Sequence, residues 1–364
     1  MQPDAERGQR PFERWLVRRW YGRWPVFWLL PLALLFAVVT AVRRQLFQSG
    51  WLQRQQLPVP VVVVGNLVAG GAGKTPTVIA LVEGLRARGW HPGVLSRGYG
   101  GQQQATGLVT GASSARTCGD EAVLLARRLG VPLAIGRGRA QAGRVLLTAH
   151  PAVDCLVCDD GLQHYALQRN VELAVIDRLR GLGNHWLLPA GPLREGARRL
   201  RSVTAAVVHG EAPDARRARR LTQALRLAPA VAELQLDMQP PHPLVQDDAS
   251  VLCTQTAAQA WSHWKGRSVH AVAGIGHPAR FFAGLRAQGL VVIEHPFPDH
   301  HAFVAADLAF DDALPVLLTE KDAVKCDALT ARNLWVVPLQ AALPAAFLDQ
   351  LSTRLESLRG RKTS

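Results

Sequence analysis

Lys74 and Thr75 close a glycine-rich run, and residues of those types in that order can hold phosphate. In Gly65-Asn66-Leu67-Val68-Ala69-Gly70-Gly71-Ala72-Gly73-Lys74-Thr75-Pro76 the glycines let backbone N–H groups wrap phosphate oxygens. The Lys74 ammonium can reach the β- and γ-phosphates and the Thr75 hydroxyl can ligate Mg²⁺. Val68, Ala69, Gly70, Gly71, Ala72, Gly73, Lys74 and Thr75 are therefore the expected ATP-binding residues. A strict P-loop carries glycine where this chain has Val68, so the loop is a variant. The plainer alternative, a turn with a solvated lysine, does not account for the strand-like run before it and the helical pattern after it.

Acidic residues supply a second kind of chemistry. Val153-Asp154-Cys155-Leu156-Val157-Cys158 is an apolar run that ends in Asp159 and Asp160, and an acid at the end of a strand beside a P-loop can face the metal held there. Asp120 and Glu121 follow Gly119 at the start of a helical pattern, where Asp120 would serve equally as a helix cap. Ser96-Arg97-Gly98-Tyr99, Gly161-Leu162-Gln163-His164 and Pro192-Leu193-Arg194-Glu195 are further polar clusters in turn-like settings. Later come Pro298-Asp299-His300-His301 and Thr319-Glu320-Lys321-Asp322. A carboxylate oriented by a histidine can take a proton, but sequence alone does not bring His300 to Asp120.

Those residues need elements to position them. Val59–Val64 reads as a strand, Thr77–Arg88 as a helix ended by Gly89, and His91–Ser96 as a second strand, a βαβ unit that requires a parallel sheet. Val131–Ile135, Val153–Cys158 and Val171–Ile176 extend the sheet, with helices at Glu121–Leu129 and Arg139–Ala149. The polar clusters then gather at the C-terminal ends of the strands, where ligands bind in open α/β sheets. After Leu200 the texture changes to an arginine-rich stretch, a proline cluster at 240–243 and a fresh strand series: Val269–Ala273, Leu290–Glu294, Val316–Thr319 and Leu334–Pro338. The expectation is an α/β fold with a P-loop-containing parallel sheet core at 51–200, a smaller α/β domain at 201–364, and an N-terminal hydrophobic membrane-associating helix at 1–50.

Composition narrows the partners. The chain has 364 residues, 48% hydrophobic and 19% charged, which excludes disorder, and a net charge of +14, which favours anionic partners. Five cysteines in so long a chain do not make a secreted disulfide framework; Cys155 and Cys158 read as core residues. Residues 1–54 carry nine arginines against Asp4, Glu6 and Glu13, and enclose an uncharged run from Pro25 to Val42 flanked by tryptophans. That run crosses the bilayer, dips into one leaflet, or is a buried helix of a soluble domain. A single crossing would export the ATP-dependent motifs, and Pro25 and Pro31 suggest a broken helix, so the second reading is favoured. The Arg216-Arg217-Arg219-Arg220 run raises nucleic acid as a partner, but without interleaved aromatics it reads as a solvated helix face.

Taken in order with Leu188-Pro189-Ala190-Gly191, Gly274-Ile275-Gly276-His277-Pro278 and Thr319-Glu320-Lys321-Asp322-Ala323-Val324-Lys325, these motifs resemble the tetraacyldisaccharide 4′-kinase family of lipid A biosynthesis over nearly the whole chain. The family itself lacks a glycine at the place of Val68. The resemblance implies a lipid kinase that moves the γ-phosphoryl of ATP, with Mg²⁺, to the 4′-hydroxyl of a tetraacylated disaccharide 1-phosphate, forming lipid IVA. It implies the cytoplasmic face of a Gram-negative inner membrane, with anionic lipid as a neighbour and no nucleic acid partner. By motif position Lys74 would hold β/γ-phosphates, and Thr75, Asp159, Asp160 and Glu195 would form the metal and acidic shell. Asp120 would be the catalytic base, paired with His300. Arg97, Tyr99, Glu121, Gln163, His164 and Arg194 would line the cleft. Ala122 stands where the family usually has proline. The remaining rival is a membrane-associated P-loop NTPase with no phosphoryl acceptor.

Overall fold

The computed structural model describes residues 11–22, 24–103, 105–244, 257–326 and 333–359. Arg7, Arg10, Arg23 and Cys253 lie outside the described residues. The first sheet has eight strands: β1 (Val61–Gly65), β2 (Pro92–Ser96), β3 (Gly107–Val109), β4 (Leu133–Ile135), β5 (Cys155–Cys158), β6 (Val171–Asp177), β7 (Ala205–His209) and β8 (Val231–Glu233). Their order is β3-β4-β2-β5-β1-β6-β7-β8, parallel throughout except for β3. The continuous valines of β1 follow from burial on both faces. Val62 and Val64 pack with helices Lys74–Arg86 and Asp120–Leu129, while Val61 and Val63 pack with helix Arg139–Ala149 on the other side. Because β1 is central, between β5 and β6, the P-loop leaves the middle of the sheet with Asp159 on one flank and Asp177 on the other.

The first sheet does not end at residue 200. Ala205–Val208 is a short buried run that continues the sheet as β7, and helix Ala215–Leu225 leads on to β8. The arginine-rich helix between them hides this continuity in the sequence. The chain then leaves through β9 (Gln235–Met238) to a second sheet made of β10 (His242–Pro243), β11 (Ser268–Ala273), β12 (Val291–Pro296), β13 (Val316–Thr319) and β14 (Leu334–Val337). Its order is β10-β14-β13-β11-β12, with β10 antiparallel. The chain returns along β15 (Leu339–Ala342), which pairs antiparallel with β9, so that the two connections form one ribbon. The last helix, Ala345–Arg359, packs on the first sheet and places Leu348, Leu351 and Leu355 in its core.

Near the N-terminus a single unbroken helix runs from Leu30 to Gln48. Pro25 precedes it and Pro31 occupies its first turn, where proline removes no needed hydrogen bond; the prolines thus do not break it. Its outer face is apolar and bare, with Leu34 68% and Leu35 60% exposed. The segment Phe27–Gln48 is long and apolar enough to cross a membrane by length and composition alone. Its far end and the segment that precedes it are both tied to the first sheet's surface, however. Before the helix, Trp20 Nε1 donates to the Pro189 carbonyl at 2.9 Å and Arg217 donates to the Tyr21 carbonyl at 3.0 Å. At the far end Arg44 donates to Ser202 Oγ at 2.8 Å and Phe47 stacks near Tyr165.

Candidate active site

The loop after β1 enters helix Lys74–Arg86 through Gly73, whose φ of +79° lies in the left-handed region. A Cβ there would be strained and would come within 2.3 Å of His209 Nε2. His209, buried at the end of β7, donates from Nε2 to the Ala72 carbonyl at 2.9 Å. Burial lowers its pKa, so the ring is neutral and that donor fixed. Asn66 Nδ2 donates to the Gly70 carbonyl at 3.0 Å and Arg180 Nη1 to the Gly71 carbonyl at 3.1 Å. Val68 is buried and bridges to Leu193, which is why this loop carries a side chain where a strict P-loop has none.

Lys74 Nζ lies 3.0 Å from Asp160 Oδ1, and Arg194 Nη1 lies 3.4 Å from the same oxygen. Burial alone would raise the Asp160 carboxyl, but Lys74 and Arg194 hold it below its ordinary value. Asp159 behaves in the opposite way. It is 1% exposed, its Oδ1 has no hydrogen-bond partner among the described residues, and burial reinforced by Glu121 pushes it up to about 7 against the pull of Lys74. An orphaned buried carboxylate oxygen is costly, by about 1–3 kcal/mol or more. Such an oxygen beside the P-loop suits a hard divalent cation, which takes one or two carboxylates and fills its remaining positions with phosphate and water. Thr75, in the first turn of the P-loop helix, is half-buried, and its hydroxyl has no hydrogen bond among the described residues. The donor set therefore fits Mg²⁺, although no group of three or more metal-ligating side chains occurs among the described residues.

The opposite wall comes from the second sheet. Asp120 opens helix Asp120–Leu129 and is 5% exposed. Its Oδ1 accepts the Glu121 N–H at 2.9 Å and its Oδ2 accepts His300 Nδ1–H at 2.9 Å. His300 lies in the loop after β12 at φ +63°, a conformation uncommon outside glycine, with its ring 5.4 Å from that of Tyr99. Lys321, following β13, sits 3.2 Å from both Glu121 and Asp299 and 3.9 Å from Asp120. Burial would raise Asp120, but the His300 hydrogen bond and the Lys321 charge outweigh it and hold the carboxyl low. The same hydrogen bond raises His300. A carboxylate and a histidine 180 residues apart in the chain are thus brought into hydrogen-bond contact.

The other expected residues divide. Gln163 Nε2 donates to the Asn66 carbonyl at 3.0 Å and to Glu195 Oε2 at 3.3 Å. The Tyr165 hydroxyl donates to Glu195 Oε1, and Arg199 stands 3.6 Å from Oε2. Both oxygens of Glu195 thus meet protein donors in this structure, through which it anchors Gln163 and Tyr165. His164 is pushed down to about 4 by burial and the charges of Arg139, Arg169, Arg43 and Arg97. Arg97 itself is exposed. Sequence reasoning passed over His209, Arg180 and Asn66. Asn66 lay inside the quoted loop, whereas His209 and Arg180 have no motif and emerge only from strand order.

Comparison with known proteins sets this arrangement in a family. The profile for tetraacyldisaccharide-1-P 4'-kinases matches residues 25–356. The chain belongs to this family. The tetraacyldisaccharide 4'-kinase of Azoarcus sp. (strain BH72) is 46% identical over 338 residues, 93% of this chain and 94% of the relative. That of Dechloromonas aromatica (strain RCB) is 46% identical over 355 residues, 96% of this chain and 99% of the relative. The crystal structure of the "apo" form of LpxK from Aquifex aeolicus in complex with ATP superposes with a TM-score of 0.71 at 25% identity, over 91% of this chain and 98% of that one. Family membership makes the chain a phosphotransferase of lipid A biosynthesis with an ATP-binding P-loop half. The kinase family's fold, an α/β core with a parallel sheet, is the one expected from the sequence.

Proposed function

We propose that the chain transfers the γ-phosphoryl of ATP to the 4′-hydroxyl of tetraacyldisaccharide 1-phosphate, with Asp120 as general base. The observation that carries the assignment is the buried Asp120–His300 pair, which the second sheet places at the next residue to Glu121, itself close enough to Asp159 to raise it. A sugar hydroxyl is a weak nucleophile, and a carboxylate held charged and oriented can take its proton as the new O–P bond forms and the bond to ADP breaks. His300 fixes the Asp120 carboxylate through Nδ1 and keeps it ionised. Lys74 is to balance charge on the β- and γ-phosphates, exchanging its contact with Asp160 for them. Thr75 and Asp159, with Asp160 beside them, are the residues to hold Mg²⁺, which when bound neutralises phosphate charge. Tyr99, Arg97, Gln163, His164 and Arg194 form the rim for the sugar and its phosphate, and Glu195 fixes that rim.

The membrane placement follows from the helix Leu30–Gln48. A helix of about 28 Å, at 1.5 Å per residue, whose far end and preceding segment are both held on one soluble surface is better suited to lie along a bilayer than to cross it. We infer that it lies along the cytoplasmic face of the inner membrane with its bare apolar side in the lipid, keeping the site beside its acceptor. The deciding assay is transfer of labelled γ-phosphate from ATP·Mg²⁺ to tetraacyldisaccharide 1-phosphate in detergent micelles, comparing wild type with folded Asp120→Ala and Lys74→Ala variants. Labelled lipid that both variants fail to make supports the reading. Lys74-dependent release of free phosphate with no labelled lipid would overturn it in favour of an NTPase.

A further inference from the structure

A second basic site lies away from the nucleotide cleft. The arginine-rich helix Ala215–Leu225 packs beside the segment that leads into the apolar helix, and a cavity of about 190 Å³ opens between them. Tyr21, Gly22, Arg180, Arg216, Arg217 and Arg220 form most of its wall. Four arginines therefore line a space with one carboxylate among its lining residues, Asp214, and that carboxylate is already engaged. It accepts the Arg217 N–H at 2.8 Å as the helix cap and lies 3.6 Å from Arg217 Nε. Arg217 is held further by the Tyr21 carbonyl, and Arg180 by the Gly71 carbonyl and the Tyr21 ring. These two form a fixed frame. Arg216 and Arg220 are exposed and have no ion pair or hydrogen bond among the described residues. Asp177 acts on Tyr21 from behind the wall and Asp214 is taken up by Arg217, so the side of the pocket formed by Arg216 and Arg220 is the one left without a carboxylate partner among the described residues.

Position decides what would neutralise it. The cavity wall includes Tyr21 and Gly22, and the exposed apolar residues Trp24, Phe27 and Trp28 follow within a few positions. A ligand in the pocket thus sits where the headgroup layer would be if the apolar helix lies in the lipid. Guanidinium forks match the oxygens of phosphates and carboxylates, and the anions that a bilayer's headgroup layer offers are chiefly phosphates. We propose that this cavity binds the phosphate of an anionic bilayer lipid, and that the arginine run, which the phosphoryl-transfer site leaves unused, exists for that purpose. The proposal rests on the membrane placement inferred above and not on the identity of the acceptor. Because Arg180 touches both the cavity and the P-loop carbonyl of Gly71, a headgroup there would also steady the loop from its far side.

The test uses the full chain and sedimentation with vesicles of phosphatidylcholine alone or with a third phosphatidylglycerol. Wild type should bind both, and more tightly when phosphatidylglycerol is present. Arg216→Gln/Arg220→Gln should lose that increment, roughly tenfold or more in partitioning for two arginines, while binding neutral vesicles as before. Arg219→Gln/Arg226→Gln removes the same charge outside the cavity and should keep most of the increment. Equal losses in the two double variants would overturn the proposal by making the attraction diffuse. Two further arms separate phosphate sources. If millimolar inorganic phosphate abolishes the wild-type increment at constant ionic strength, the site takes free phosphate and the lipid proposal fails. If Arg216→Gln/Arg220→Gln raises KM for the disaccharide 1-phosphate in neutral micelles lacking anionic lipid, the occupant is the acceptor's own phosphate, and the proposal fails again. Loss of neutral-vesicle binding by wild type would instead refute the membrane placement.

Discussion

Asp159 and Asp120 are both almost completely buried carboxylates at helix-proximal ends of the same cleft, yet their acidities are driven in opposite directions. Asp159 belongs wholly to the first sheet and lies beside Glu121 with an oxygen that no donor among the described residues satisfies. Asp120 is met from the second sheet by His300 and Lys321, which more than offset its burial. Lys74 and Arg194 are committed to Asp160, so Asp159 receives less positive charge than its burial calls for, whereas Asp120 is supplied with more. The second sheet thus does more than cover the site: it provides the charges that hold the Asp120 carboxyl low.

The largest effect should come from removing the supplied side. Asp120→Asn keeps the shape and should lower kcat by roughly 10²–10⁴ with little change in KM for ATP; a loss of less than tenfold would place the base elsewhere. Asp159→Asn tests the other side. It should weaken the apparent Mg²⁺ affinity in nucleotide titrations by on the order of 10-fold or more. It should also leave Tm unchanged or raised by about 2–4 °C, since a buried uncompensated charge has gone. A fall in Tm with normal Mg²⁺ dependence would mean that Asp159 is structural. Lys321→Met should act more mildly, lowering kcat about tenfold and moving the acid limb of the kcat profile upward as Asp120 loses a counter-charge. An unshifted limb would show that His300 alone sets the acidity of Asp120.

The smallest effect concerns stability. His300 is raised, so its contribution is complete below its unfolded value near 6.5 and is lost as pH rises through the folded value. Asp120 is lowered, so its contribution is complete above its unfolded value near 3.9 and is lost as pH falls through the folded value. The Tm deficit of His300→Gln should therefore be greatest between about pH 4 and 6.5 and shrink in more alkaline buffer. A deficit that grows with pH would exclude the ion pair.

The parts of the molecule that repeat a local pattern were legible in the sequence. The β-branched run before Gly65, the glycines to Gly73 and the helical spacing after Lys74 each specify their own conformation, so strand, loop and helix followed directly. The strands at 268–273 and 316–319 and the helix at Arg139–Ala149 were legible for the same reason. What depends on distant pairing was not. The Asp120–His300 contact joins two sheets, and its expectation came from family likeness, since no local spacing encodes it. β7 was missed because four small or branched residues beside an arginine-rich helix carry a weak signal. A place for Glu195 in the acidic shell came from family likeness, and its contacts with Tyr165, Gln163 and Arg199 depend on packing that no local spacing encodes.

The last helix gives the chain an order of assembly. Leu348, Leu351 and Leu355 are nearly fully buried in the core beneath the P-loop helix, each contributing about 1.5–3 kcal/mol by burial. A ribosome makes them only after the whole second sheet, so the nucleotide-binding half stays open on one side for nearly the entire time of synthesis. A nascent chain stalled before Ala345 should accordingly be cut by protease within the first sheet, and become resistant once the helix has emerged. Resistance before that point would show that the core closes without it. If the order holds, no copy of this protein can bind nucleotide firmly before the half that supplies His300 and Lys321 already exists.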